Sequence, residues 1–286
     1  MERPPSPPPG HPRSEGASAP ASRRVLFVFL DGVGIGPEDP DRNPFLWADL
    51  PALRELLGGA LPTLERPVAE GPRGVAFPLD ARLGVEGTPR SGTGQTALLT
   101  GRNAPRIFGG HFGPWTPVRL RPLLEAESLL RRATEAGLST AFANAYPWGY
   151  PGGRSSRTVA PAALAARAAG LMTRHRDALG RGDAVASEIV NTGWRTHLGH
   201  RSLPEVTPRE AGRNLARIAS GARLTFYAHY ATDHAGHRGG MEGAAAALER
   251  VDSFIFGILE RLPDDALFLV ASDHGNVEDV SAEHTL

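Results

Sequence analysis

The sequence predicts an α/β protein with a mostly parallel central sheet and helices on both faces. Two runs, VLFVFL at residues 25–30 and LFLV at residues 267–270, are apolar at every position, which is typical of strands buried on both faces of a parallel sheet. An amphipathic helix predicted at 242–262 separates a strand at 224–231 from a strand at 266–272. A strand–helix–strand unit of this length indicates a parallel crossover.

Shorter signals predict the remaining elements. The stretch Thr207-Pro208-Arg209-Glu210 matches a capping box with proline at the first helical position, so a helix should run from there to Ser220. Apolar patterns closed by glycine predict helices at 52–57, 95–101 and 122–136, and the alanine-rich stretch at 162–179 and the segment 183–190 are predicted as further helices. We also expect a strand within 138–147 and a loop with one or two short strands at 60–87.

Composition places the chain among globular proteins with no overall charge. Of 286 residues, 41% are hydrophobic, and 31 basic residues balance 31 acidic ones, so we expect no nucleic-acid or membrane partner. All basic residues are arginine, and the lack of cysteine excludes disulfides and thiolate metal sites. Residues 1–22 are rich in proline, serine and glycine, which predicts a disordered tail before a domain at 23–286. Because this tail lacks the apolar core of a signal peptide, a cytoplasmic location is expected.

Three aspartates follow three apolar runs. Asp31, Asp233 and Asp273 each come after a predicted strand, and histidines follow two of them at once. Because ligands of open α/β sheets bind outside the carboxyl ends of the strands, these carboxylates should converge on one crevice. Like charges at close range repel, and the chain has no lysine to neutralise them. The sequence therefore predicts a pair of divalent metal ions, with the histidines as nitrogen ligands.

Two glycine-rich stretches invite a phosphate-binding interpretation. The glycines at 32, 34 and 36 do not fit a dinucleotide-binding loop, because the third comes too early and Pro37 stands where a helix should continue. In RSGTGQTALLTG, Gly92 and Gly94 are expected to allow an unusual backbone that places Ser91 just ahead of a helix N-terminus, where a phosphate oxyanion is favoured. A nucleotide-hydrolase phosphate loop is excluded because it needs lysine. Ser91 is thus either a nucleophile or a simple helix cap.

Three further residues are candidate substrate contacts. His111 lies in the irregular stretch IFGGHFGPWTP, and Arg154 and Arg157 lie in GYPGGRSSR. Arginine forks suit phosphate and carboxylate groups. The alternative is structural in each case: packing of a surface loop for the histidine, and a solvated loop for the arginines.

Together these motifs resemble one enzyme family. The stretches LDGVG, RSGTGQTALLTG, TDHAGH, SDHGN and the late HT are similar to those of the alkaline phosphatase superfamily, in the metalloenzyme branch that contains cofactor-independent phosphoglycerate mutase and phosphopentomutase. The resemblance spans residues 25–286, although the middle third carries little of it. It implies a three-layer sandwich and two divalent ions, Mn²⁺ or Zn²⁺. The residues that it places in the site are Asp31, Ser91, Asp233, His237, Asp273, His274 and His284.

The resemblance also implies a role for each residue of this set. The set divides into Asp31, Ser91, Asp273 and His274 for one ion, and Asp233, His237 and His284 for the other. Ser91 would be the nucleophile, because it stands ten positions before Gly101, and Thr93 is the alternative nucleophile or a substrate contact. The implied chemistry is phosphoryl transfer from a small phosphorylated substrate through a phosphoserine.

The chain departs from the mutases of this family. Those relatives carry a large inserted domain that closes over the intermediate, whereas residues 102–222 are a shorter, helix-rich stretch with at most a small lid. A mutase must exclude water and a hydrolase need not. A phosphoric-ester hydrolase is therefore the first interpretation, a phosphomutase the second, and a non-catalytic metal- or anion-binding protein the third. Because the relatives' sheet continues past the late histidine, we also expect an incomplete C-terminus and an exposed sheet edge.

Overall fold

The computed structural model describes residues 23–152 and 158–285, so the predicted disordered tail lies outside the described residues. The strands are β1 (Arg24–Leu30), β2 (Ala69–Glu70), β3 (Val75–Ala76), β4 (Thr140–Phe142), β5 (Leu224–His229) and β6 (Ala266–Ala271). The helices are α1 (Pro44–Trp47), α2 (Pro51–Leu56), α3 (Ser91–Thr100), α4 (Ala104–Phe108), α5 (Arg121–Glu127), α6 (Leu129–Glu135), α7 (Pro161–Ala168), α8 (Arg176–Gly180), α9 (Thr192–Thr196), α10 (Pro208–Ser220), α11 (Ala231–Arg238) and α12 (Gly240–Leu259).

The main sheet is parallel, as predicted. Within the described ranges its strand order is β4-β5-β1-β6, and each neighbouring pair runs parallel. Phe27 of the central strand β1 pairs with Phe226 of β5 on one side and with Leu269 of β6 on the other. Because these strands point the same way, their carboxyl ends lie along one edge of the sheet.

Helices cover both faces of this sheet. On β1, Leu26, Val28 and Leu30 face one core cluster, which also contains residues of α10 and α12. Phe27 and Phe29 face a second cluster, which contains residues of α3, α5, α6 and α7. This alternation follows from the two-residue period of a strand, and the fully apolar sequence of β1 allows both faces to be buried. The predicted fold class, a three-layer α/β sandwich with a parallel central sheet, is therefore confirmed.

The two long helices on one face match their sequence signals. Thr207 caps α10 in a full capping box: its hydroxyl accepts the Glu210 N–H at 3.2 Å, and its own N–H donates to the Glu210 carboxylate at 2.8 Å. Helix α12 buries Val251, Ile255 and Ile258, as the apolar repeat predicted. Helices α10 and α12 also pack against each other and form the layer behind this face. In the part of the chain that the structure describes, no helix combines the length and the apolarity that a membrane span requires.

Three predicted helices differ in extent from the structure. Residues 183–190 contain no helix, because their backbone forms isolated bridges, one of them to the segment that follows β4. The stretch predicted as one helix at 162–179 breaks at Gly170, whose φ is +72°. The stretch at 122–136 breaks at Ser128, whose hydroxyl caps α6 by accepting the N–H of Arg131. Gly170 and Ser128 were predicted to lie inside continuous helices, whereas each ends one helical segment before the next begins.

The described part of residues 102–222 packs mostly on the sheet. Helices α5, α6 and α7 belong to the core cluster on one face, and α10 belongs to the cluster on the other. A separate small cluster contains Leu179, Trp194 and Leu203. The small lid expected in this stretch stays a prediction.

Strand β6 is an exposed edge: the exposed sheet edge expected near the C-terminus is present, whereas the apolar run at 267–270 had predicted burial on both faces. Leu267, Leu269 and Val270 are 52%, 41% and 40% exposed. Among the described residues only β1 pairs with this strand, so its outer side has no strand neighbour there. An apolar run therefore identified the strand correctly but not its place in the sheet.

Candidate metal centre

The candidate ligands lie together at the carboxyl edge of the sheet. Asp31 directly follows β1, and Asp273 and His274 follow β6. Asp233 and His237 lie one turn apart on α11, so both side chains are on one face of that helix. The sequence had suggested that Asp233 lies at a strand end, but it belongs to the first turn of a helix. The parallel topology brings three segments that are distant in sequence to one crevice.

Ser91 is the first residue of α3, which begins four residues earlier than the helix predicted at 95–101, so Ser91 lies inside the helix rather than ahead of it; it is 3% exposed. Its hydroxyl lies 3.3 Å from Asp31 Oδ1 and 3.0 Å from His274 Nε2. The other ring nitrogen of His274, Nδ1, lies 3.1 Å from the Gly275 carbonyl oxygen. In a neutral ring, Nδ1–H therefore donates to this oxygen and Nε2 keeps its lone pair. We call Asp31, Ser91, Asp273 and His274 the serine group.

The other three ligands, which we call the histidine group, lie beside the serine group. Asp233 Oδ1 is 3.5 Å from both His237 Nε2 and His284 Nε2, and the two Nε2 atoms are 3.0 Å apart. His284 Nδ1 lies 3.0 Å from the Pro89 carbonyl oxygen, which again leaves Nε2 as the acceptor of a neutral ring. Burial, followed by the nearby His274, lowers the pKa of His284. This shift favours the neutral form that binds metals.

Asp233, which we count in the histidine group, lies close to both groups. Its carboxylate is within 4.8 Å of the ligand atoms of the histidine group and also of those of Asp31 and His274. Asp273 lies farther from His274 than Asp31 does: its Oδ2 atom is 3.8 Å from His274 Nε2, compared with 3.4 Å for Asp31 Oδ1. The geometry therefore allows Asp233 to contribute to either group, whereas the sequence resemblance assigned it to the histidine group alone.

The electrostatics of these carboxyl groups fit a bound cation. Within residues 23–152 and 158–285, neither oxygen of the buried Asp273 side chain has a hydrogen-bond partner. Burial, and then the charges of Asp273 and Asp233, raise the pKa of Asp31 well above its usual value. Burial also raises the pKa of Asp273. Ionising all of these carboxyl groups together is costly unless a positive charge is added, which a bound cation would supply. The mixed oxygen and nitrogen donors fit divalent ions of the Mn²⁺ or Zn²⁺ type.

Glycines make room where these segments meet. Gly32 has a φ of +66°, and a Cβ at that position would lie 2.7 Å from Asp233 Oδ1. A Cβ at Gly94 would lie 2.8 Å from the Cβ of Asp273. The prediction of an unusual backbone at Gly92 and Gly94 is wrong, because both are helical residues of α3. Gly94 instead lets the helix that carries the serine approach the loop after β6.

Two of the remaining predicted residues, Thr93 and His111, make their hydrogen bonds to backbone groups rather than to the carboxyl groups. The Thr93 hydroxyl bonds two backbone groups, donating to a carbonyl oxygen at 3.1 Å and accepting an N–H at 3.2 Å. Thr93 thus fastens a loop to the start of α3. His111 Nε2 lies 3.2 Å from the Val85 carbonyl oxygen, which matches the loop-packing alternative. Arg154 and Arg157 lie outside the described residues, so their role as substrate contacts stays a prediction.

Three polar residues around the ligands were missed by sequence reasoning. Asn276 is fully buried and donates to the backbone oxygen of Asp233 at 2.9 Å and to its Oδ1 at 2.7 Å. Glu278 is also fully buried and accepts N–H groups from the loops that follow β1 and β6. Gln95 Nε2 lies 3.4 Å from Asp31 Oδ2. The available signal for Asn276 and Glu278 was their position in SDHGNVE, immediately after two candidate ligands.

Comparisons with known proteins agree with this site in the C-terminal part of the chain. No curated protein matches the sequence. Among solved structures, the chain is similar to the PH0037 protein from Pyrococcus horikoshii, with a TM-score of 0.46 and 14% identity, over 92% of this chain and 82% of that chain. A likeness at this level does not bear on function. The family model of the metalloenzyme superfamily matches residues 209–286. This segment contains all of the candidate ligands except Asp31 and Ser91, and it confirms the resemblance to the metalloenzyme superfamily that the motifs predicted.

Proposed function

We propose that this chain is a two-metal phosphoryl-transfer enzyme that hydrolyses phosphoric esters through a phosphoserine at Ser91. The observation that carries the proposal is the position of the Ser91 hydroxyl, 3.0 Å from His274 Nε2 and 3.3 Å from Asp31 Oδ1. A serine hydroxyl in this position is next to the ligands that would bind a cation. It also begins α3, and the N-terminus of a helix favours negative charge. The metalloenzyme match of residues 209–286 supports metal dependence.

Each group of ligands has its own part in this proposal. The serine group would hold one ion and the histidine group the other, with Asp233 able to serve either. Divalent ions bound there would lower the pKa of the serine hydroxyl and stabilise negative charge on the phosphoryl oxygens. The buried carbonyl contacts of His274 and His284 hold each ring in the orientation that presents Nε2 to the crevice.

The reaction that we propose has two displacements. The Ser91 oxygen attacks phosphorus, a bond between them forms, and the bond from phosphorus to the ester oxygen breaks. The hydroxyl proton passes to solvent water, because Asp31 Oδ1 and His274 Nε2 beside it would be engaged as ligands, and the departing oxygen takes a proton from water. A water molecule then attacks the phosphoserine, which releases inorganic phosphate and restores the hydroxyl group of Ser91.

The middle of the chain supports hydrolysis over mutase activity. A phosphomutase must hold its intermediate away from water. In the described part of residues 102–222, α5, α6, α7 and α10 are packed on the two faces of the sheet. These helices are therefore committed to the core and are not free to close over the site as a large inserted domain would.

The test is hydrolysis of p-nitrophenyl phosphate and bis(p-nitrophenyl) phosphate by protein stripped of metal, before and after addition of Mn²⁺ or Zn²⁺. We expect metal to restore release of nitrophenol, and Ser91→Ala to reduce that release by at least ~1000-fold while Mn²⁺ binding persists. Mass spectrometry of acid-quenched protein should find phosphate on Ser91. The control is Ser128→Ala, because this buried serine caps α6 away from the carboxyl groups and should affect stability only.

The alternative functions give different results in the same experiment. Phosphoserine that forms without release of inorganic phosphate, together with transfer inside a sugar phosphate, would identify a phosphomutase. Full activity of Ser91→Ala would exclude this nucleophile and direct attention to Thr93. Binding of Mn²⁺ without any phosphoserine would identify a non-catalytic metal-binding protein.

A further inference from the structure

Glu278 is a buried side chain whose two carboxyl oxygens are both occupied by donors. The residue is 0% exposed. Its Oε2 atom accepts the N–H of Gly34 and the N–H of Asn276, each at 2.8 Å. Its Oε1 atom accepts the hydroxyl hydrogen of Thr285. Three separate segments of the chain are thus joined by one side chain.

Each of these segments carries a candidate metal ligand close in sequence to the contact. The ligands are Asp31 before the first contact, His274 before the second, and His284 before the third. The first two belong to the serine group and the last to the histidine group. Glu278 therefore connects the two groups without being a candidate ligand of either.

A fourth segment is tied in through the neighbouring asparagine. The Asn276 side chain donates to both the backbone oxygen and the Oδ1 atom of Asp233, which lies between the groups. The loops are also built to fit around the carboxyl group, because a Cβ at Gly34 would lie 2.5 Å from Glu278 Oε1. In addition, the backbone of Gly275 pairs with that of Thr285 as an isolated bridge. The loop after β6 and the late histidine segment are thereby held side by side.

We propose that Glu278 is a positioning residue that sets the separation and orientation of the two ligand groups. This inference rests on the metal-dependent function proposed above. A carboxyl group with two acceptor oxygens can serve all three donors at once. A glutamine side chain has one acceptor oxygen and an NH₂ group, so the Thr285 hydroxyl loses its acceptor and can only accept from the NH₂ group, and the negative charge that strengthens all three hydrogen bonds is lost. Glu278→Gln therefore keeps the size of the side chain and weakens the connection.

The experiment measures binding of Mn²⁺ to the full chain by calorimetry, well below the unfolding temperature. We expect Glu278→Gln to weaken Mn²⁺ binding by about 10- to 100-fold, as losses around metal ligands typically do. We also expect a changed visible absorption spectrum of bound Co²⁺, which reports ligand geometry. The matched control is Asp252→Asn. Asp252 is a buried carboxyl group on α12 that accepts two backbone N–H groups of α2, at 3.0 and 2.8 Å, away from the ligands.

The outcomes separate this inference from the proposed function. Weaker Mn²⁺ binding in Glu278→Gln, with normal binding in Asp252→Asn, supports the positioning role. Equal Mn²⁺ binding and an equal Co²⁺ spectrum in Glu278→Gln and the natural chain would overturn it and leave the proposed function intact. Failure of the natural chain to bind Mn²⁺ would overturn both.

A milder variant covers the case in which Glu278→Gln does not fold. Thr285→Val removes only the hydroxyl donor next to His284. We expect it to weaken binding at the histidine group, so one of two Mn²⁺ binding events should lose affinity while the other persists. Unchanged affinity for both ions in Thr285→Val would then count against the positioning role.

Discussion

The Asp273 carboxyl group is fully buried, and its neighbours include other carboxyl groups. We expect Asp273→Asn to raise the melting temperature of the metal-free protein, because it removes one of the charges that repel Asp31. Each kcal/mol of relieved repulsion should raise this temperature by about 2–4 °C. The same change should weaken Mn²⁺ binding, because it removes an anionic ligand. Calorimetric unfolding at pH 7, in EDTA and then in Mn²⁺, measures both effects.

The control for this prediction is again Asp252→Asn. Because the Asp252 oxygens accept backbone N–H groups, the amide cannot serve both donors, and the metal-free protein should become less stable. A metal-free Asp273→Asn protein that melts no higher than the natural chain would contradict the proposed repulsion. Residues of one chemical type thus have opposite effects on stability, according to whether donors or other carboxylates surround them.

Among the elements, α3 depends on its glycine for contact with the loop after β6. We expect Gly94→Ala to cost roughly 1–3 kcal/mol of folding stability, because the added methyl would overlap the Asp273 side chain and backbone. It should also weaken Mn²⁺ binding by displacing Asp273, the candidate ligand that the added methyl would meet. Gly243→Ala is the matched control. This residue lies inside α12, and apart from its chain neighbours and the nearby backbone of its own helix, no atom of the described residues lies within 4 Å of its added Cβ. This change should stabilise the protein by about 0.5–1 kcal/mol. Equal effects of the two substitutions, measured by urea unfolding, would contradict the close approach.

The pairing of α10 with α12 should depend on pH. Two arginines of α10, Arg209 and Arg213, both donate to Glu260 at the end of α12. These hydrogen bonds lower the pKa of Glu260 to about 2. Because the folded-state pKa is depressed, the contribution to stability is present above about pH 4.5 and is lost as the pH falls towards 2.

Glu260→Gln should accordingly lower the melting temperature at pH 7, and the difference from the natural chain should shrink steadily between pH 4.5 and pH 3. Glu55→Gln, which removes a single exposed ion pair with Arg73, should change the melting temperature little. A difference between Glu260→Gln and the natural chain that stays constant down to pH 3 would show that the carboxylate charge is not what joins these helices.

For the whole molecule, metal binding should be coupled to stability. The ligands come from segments that are distant in sequence and close together only in the folded chain, so Mn²⁺ should stabilise the folded state. At a concentration 100 times the dissociation constant, the gain is about 2.7 kcal/mol, or roughly 5–10 °C in melting temperature. Ca²⁺ at the same concentration should give a smaller shift, because it prefers oxygen ligands to imidazole. A melting temperature that is the same in EDTA and in Mn²⁺ would argue against a metal centre.

Local patterns predicted a large part of this fold. Both apolar runs are strands, and the capping box at Thr207 begins a helix. Such signals depend on a few neighbouring residues, so they are readable without the rest of the chain. The helix at 183–190 was predicted wrongly because that segment pairs with the backbone after β4, a partner that its own sequence does not reveal. The burial of β6 was mispredicted because an apolar run does not reveal that, among the described residues, the strand has a neighbour on one side only.

What the sequence determined by itself was the parallel α/β class, the candidate ligands and the resemblance to the metalloenzyme superfamily. Strand periodicity and ligand chemistry are both properties of short segments. The tertiary structure alone decided that Asp233 lies between the two groups, that Thr93 binds backbone, and that Glu278 joins three loops. These facts concern distances between segments that are remote in sequence. Such distances are set by the packing of helices on a parallel sheet, which no single segment encodes.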